Sequence, residues 1–244
     1  MSSHFWPQLA AAAVGIGPAL AVMFLSLRRY DRPHFDHTLF DDRRIFFALA
    51  VGLVVGTVTT VAGAFVSVPG GGLASGFVIG LLLAIVEEMF KLVYLNRPGY
   101  RARFDTVFTG LALGCGMAAS GGFASAYLSR ESLGDPAIGG FVVVFAVSLA
   151  GLHAFTGSLI GFGCAFGRTF QRLAAVIAVR GAYIALAIPF ATSSSLPAVI
   201  FLGLTLGLAL FLLYWTLRHT LPDAVPPSVW RQRRRKVRSR PGVR

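Results

Sequence analysis

The stretch "AIVEEMFKLVYL", residues 84–95, sets two adjacent carboxylates, Glu87 and Glu88, and the ammonium of Lys91 inside an apolar run. The run extends over 76–96, about the 20 residues needed to cross a bilayer core. Further runs of this kind lie at roughly 7–27, 45–66, 106–128, 141–166, 173–192 and 198–217. Only 13% of the 244 residues are charged, about half the share of a soluble domain. The expected fold is all-α: a polytopic membrane helix bundle of about seven transmembrane helices. One helical domain should span 1–218, followed by a basic tail over 219–244.

The links between runs carry a strong asymmetry. Loop 28–44 holds five arginines, 97–105 three and 167–172 two, and nine of the 22 Lys and Arg residues lie at or beyond Arg218. The alternate links are poor in them: 67–75 and 193–197 have none and 129–140 has Arg130 alone. Basic loops stay cytoplasmic, so an odd number of spans puts the N-terminus outside and the tail inside. The tail run "RQRRRKVRSR" is of a kind that can bind nucleic acid. Beside a final span, contact with membrane lipids through anionic headgroups, or a topology signal, is the expectation, and no nucleic-acid partner is expected. Cys115 and Cys164 both fall within spans and read as small packing residues rather than a disulfide framework.

Few ionisable groups remain inside the membrane. Lys91 and Arg180 are the basic residues within spans, Glu87 and Glu88 the acids, His153 the histidine, with Asp105 at the edge of the fourth span. A charge at mid-bilayer costs about 2.5–3.5 kcal/mol even on lenient scales. These groups must pair, bind an ion or face the bundle interior. Glu87 and Lys91 are four residues apart and can pair along one helix face. Glu88 is rotated about 100° from Glu87 and needs a partner from another helix. Counting from the cytoplasmic ends, Glu88 lies ~12 Å deep, Arg180 ~10 Å and His153 ~20 Å at 1.5 Å per residue. A shared pocket of the third, fifth and sixth spans is compatible with those depths.

"EEMFK" resembles the Glu-Glu-x-x-Lys motif of the PrsW family of intramembrane proteases. Other stretches follow in the family's order. "PALAVMFLSLRRYDRP" is similar to its first helix and basic loop. "FDTVFTGLALGCGMA" is similar to its fourth helix, with Asp105, Gly110, Gly114 and Gly116, and "HAFTGSLIGFGCAFG" to its His-bearing helix. The likeness covers roughly 17–190. It implies cleavage of membrane-anchored protein substrates, with Glu87, Glu88 and His153 as the catalytic or ligand set and Lys91 as the motif lysine. A divalent metal cofactor is implied only if the site is active.

Two positions depart from that pattern. The family's fourth helix continues into a Glu-Asn pair, where this chain has Gly121 and Gly122. Its sixth helix carries a second histidine, where this chain has Arg180. A zinc site needs three protein ligands and an open position, and adjacent residues on one helix seldom converge on one ion. Arg180 could instead supply the missing positive charge and grip Glu88 as a guanidinium fork. The expectation is a family member with a degenerate active site, in the cytoplasmic membrane of a prokaryote. Its partner would be a single-span membrane protein, as substrate or as bound partner. A non-catalytic regulatory protein using the same pocket, and a small transporter with a Glu/Arg/His relay, are the alternatives. An internal repeat, which would favour the transporter, is not evident.

Overall fold

The computed structural model describes residues 5–31, 35, 38–66, 72–192 and 196–231. Among these, every regular element is helical: α1 Phe5–Leu27, α2 Asp42–Val66, α3 Leu73–Leu95, α4 Thr106–Leu128, α5 Pro136–Phe166, α6 Thr169–Thr192, α7 Leu196–Trp215 and the short α8 Leu221–Ala224. Seven helices among the described residues are long and apolar enough to cross a membrane. The protein is an integral membrane helix bundle of the expected kind.

Helix ends follow from local chemistry. α5 starts at Pro136, five residues before the expected 141. The Asp135 carboxylate accepts a 2.8 Å bond from the Ala137 N–H, and Pro136 pre-sets the first-turn φ. It stops at Gly167, which takes φ +77° while the Arg168 N–H returns to the Gly163 carbonyl at 3.1 Å. The 31 residues of α5 measure about 46 Å, so this helix must tilt or project beyond the hydrocarbon.

α4 lies at the centre. It packs against α1 and α2 on one side and α5 on the other, while α6 and α7 cover the far side of α5. α3 sits at the periphery, with α6 as its main neighbour and further contacts to α2 and α5. The α4–α5 approach requires glycine. A Cβ on Gly110 would overlap the Gly157 carbonyl, and one on Gly157 would overlap the Gly110 carbonyl. These glycines thus bring two backbones together. Cys115 and Cys164 are free and buried.

The bundle does not end at residue 218. The helix loosens into a π turn over Thr216–Thr220 and continues as α8. Leu221, Ala224 and Val225 are buried. The Phe35 and Trp230 rings meet edge-on at 5.5 Å, and Tyr30 packs on Phe108 at 4.9 Å. Residues 219–231 therefore pack on the bundle rather than leaving it. The apolar residues of "LPDAVPPSVW" explain this, since the basic residues of the tail are concentrated in the run beyond. The rest of the expected tail, 232–244, lies outside the described residues.

Candidate functional site

The intramembrane ionisable residues converge. Glu87, Glu88 and Lys91 come from α3, His153 from α5 and Arg180 from α6. Helix spacing places them: residues 87, 88 and 91 span one turn of α3, on the side that turns toward α5 and α6. The opposite side presents Val78, Leu82, Val86, Met89 and Val93, all exposed. Glu88 and Lys91 are 0% exposed, His153 4% and Arg180 8%, so the group is closed to solvent and lipid. Glu87 is the least buried member.

Pairing differs from the expectation. Lys91 bonds Glu88, three residues back, with Nζ 2.7 Å from Oε1; it does not take Glu87. Its remaining contacts are Thr156 Oγ1 at 2.7 Å and His153 Nδ1 at 3.1 Å. Glu87 turns toward α2 and α6. Its Oε1 accepts from the Thr59 hydroxyl at 2.8 Å, and its Oε2 binds Arg180 Nη2. The fork on Glu88 alone is therefore corrected to a bridge: Arg180 grips Glu87 and brings its Nε to 3.6 Å from Glu88 Oε1. The physical reason is shared geometry. A lysine can reach an acid at either i−3 or i−4, and here α5 offers Thr156 and His153 on the Glu88 side.

Thr59 and Thr156 belong to the site although nothing in the sequence marked them. Threonine in a membrane helix often bonds its own backbone, as Thr57 does to the Leu53 carbonyl at 2.8 Å. Asp105 stands apart from the cluster. It forms a two-point pair with Arg103, at 3.0 and 2.8 Å, at the start of α4. Gly121 faces the Leu149 side chain, one turn of α5 before His153.

His153 is held by its neighbours. Gly114 lies against its backbone carbonyl, and its ring lies between Lys91 Nζ and Arg180 Nη1, each 3.1 Å from a different ring nitrogen. Lys91 and Arg180 are donors only and a neutral imidazole accepts at one nitrogen, so one of the two contacts is a hydrogen bond and the other a close approach; both nitrogens are flanked by cationic side chains.

The donor set gives a mixed test for a metal. Ligand atoms of Glu87, Glu88 and His153 lie within 4.8 Å of one another, and Glu88 Oε2 is buried without a hydrogen-bond partner. Against this, two cationic side chains already sit among those ligands. Two carboxylates facing one ammonium and one guanidinium make a neutral group. A divalent ion would meet both cations at close range in a medium that screens poorly. With Arg180 in place the residues do not fit a metal.

Comparison with known protein families, with curated proteins and with solved structures finds no match for this chain.

Proposed function

We propose that this chain is a degenerate PrsW-type membrane protein that engages a single-span membrane protein without cleaving it. One observation carries the reading: the Arg180 guanidinium bridges Glu87 and Glu88, where a catalytic pair would need its carboxylates free. General base work requires a carboxylate or imidazole within reach of a water. In this cluster Glu87 is bound by Thr59 and Arg180, Glu88 Oε1 by Lys91, and the His153 ring is flanked by Lys91 and Arg180.

The protein sits in the cytoplasmic membrane of a prokaryote in this reading, N-terminus outside and tail inside. The arginine-rich links 28–44, 97–105 and 167–172 support that orientation. The partner reaches the cluster laterally, from the side of Glu87, its least buried member.

The test combines metal content with cleavage. Purified wild-type protein should hold no stoichiometric zinc, and a panel of co-expressed single-span membrane proteins should remain uncut. Stoichiometric metal, or cleavage abolished by Glu88→Ala, overturns the reading in favour of a working protease. A transporter is the second reading, favoured by the direct approach of His153 Nε2 to Glu87 Oε2 at 3.9 Å, a step that does not pass through the donor-only Arg180 guanidinium. Proton flux in proteoliposomes, lost in Glu87→Gln, would establish it.

A further inference from the structure

A second polar region lies away from the buried cluster, where α3 ends and α6 begins. A cavity of about 710 Å³ opens there, its wall including Asn96, Arg101, Arg168, Thr169, Phe170 and Gln171. We propose that this cavity binds the phosphate of an anionic phospholipid headgroup.

Charge is the first ground. Two guanidinium groups line the cavity and no carboxylate does. Several other arginines near this end have acids or rings. Arg44 pairs with Asp41, Arg103 with Asp105, and Arg172 lies over Phe162. Among the described residues the side chains of Arg101 and Arg168 form no ion pair or hydrogen bond, so their five N–H donors each are open to an oxyanion.

Backbone donors face the same space. α6 is a 24-residue helix, and its first intrahelical bond runs from the Arg172 N–H to the Arg168 carbonyl at 3.1 Å. The N–H groups of residues 169–171 precede it and lack helical acceptors. The positive end of the helix dipole adds to the two guanidiniums.

The loop bearing Arg101 is fixed at a steric cost. Ala102 takes φ +61°, a left-handed conformation unusual for a residue with a Cβ. Its N–H donates to the Cys164 carbonyl at 3.2 Å, on the cavity wall. The strained residue thereby anchors Arg101 against α5 at the mouth of the cavity.

Apolar surface favours a lipid over a free solute. Leu92 contributes to the wall, and Phe170 is 81% exposed beside the arginines. A headgroup can place its phosphate among the donors while its acyl chains follow the apolar side.

The experiment is native mass spectrometry of the full chain with added phosphatidylglycerol or phosphatidylcholine. Wild type should retain one phosphatidylglycerol in preference to phosphatidylcholine. Arg101→Gln or Arg168→Gln should weaken retention about fivefold each, and the pair about thirtyfold. Arg28→Gln with Arg29→Gln, exposed arginines of the α1–α2 link, should leave it unchanged. Inorganic phosphate at millimolar concentration should not displace the lipid. If it binds wild type but not the paired variant, and lipid binds neither, the lipid assignment falls and a free phosphate is the ligand. Equal lipid retention by wild type and the paired variant overturns the site, as does an equal loss in the Arg28 and Arg29 control. Arg101 and Arg168 are exposed, and the single variants give the same readout if the pair folds poorly.

Discussion

Gly114 of α4 lies directly beneath the carbonyl oxygen of His153, so close that a methyl group there would overlap it. The contact sets how near α4 comes to α5, and so where the imidazole stands relative to Lys91 and Arg180. The polar cluster thus rests on a helix that contributes no polar side chain to it.

Gly114→Ala should therefore destabilise the protein. The obstacle is backbone, which cannot swing aside as a side-chain end can. A loss of about 1–3 kcal/mol is expected from overpacking, against a helix-propensity gain of about 1 kcal/mol. Gly17→Ala, where nothing lies within 4 Å of the added methyl, should be neutral or slightly stabilising. Thermal unfolding of the two variants in detergent checks the difference.

Lys91 should couple to Glu88 and not to Glu87. Glu88→Gln alone leaves a buried ammonium short of its anion, a change that typically costs about 3–5 kcal/mol. Adding Lys91→Met should recover much of that loss, so the double-mutant cycle shows strong coupling. The parallel cycle with Glu87→Gln should show little. Equal coupling in the two cycles would mean that Lys91 shares itself between the acids.

Arg180→His should also destabilise, by about 3–5 kcal/mol, because Glu87 loses its cation and Glu88 a close neighbour. Arg180→Lys should lose less, keeping the charge and giving up the bridge. Metal uptake should need Arg180→His together with Gly121→Glu, since Gly121 meets only a Leu149 methyl at 3.2 Å and that side chain can yield. Zinc content of the single and double variants reads this directly; zinc in Arg180→His alone would show that one cation was the whole barrier.

Reporter fusions within 129–140 and after Arg218 should report opposite faces of the membrane. A common face for both would contradict the span arrangement and the assignment of the arginine-rich links.

The sequence displayed the spans openly, because each apolar run must match the bilayer by itself. The early start of α5 was missed, although Asp135 and Pro136 in "DPAIG" form a helix N-terminus, because the apolar run itself begins only at Phe141. The convergence of Glu88, His153 and Arg180 could be anticipated, since buried charges have few places to go. Which acid took which cation could not. Glu87 and Glu88 are both within reach of Lys91 along α3, and the choice is made by Thr156 and His153 across the gap and by Thr59 on the other side. An uncharged threonine costs little wherever it sits in a helix, so its sequence position carries no sign of the partner it will meet.

The helix at the centre of the bundle has the lowest mean hydropathy of the seven spans. α4 is built largely from glycine, alanine and serine, residues suited to lying against other helices rather than against acyl chains. Such a segment leaves the translocon with a weak preference for lipid. α1 and α2, which emerge before it, supply the surfaces that Gly116 and Gly122 pack against. The expected consequence is that α4 depends on α1 and α2 for its place in the membrane, so that the order of the chain matches an assembly schedule.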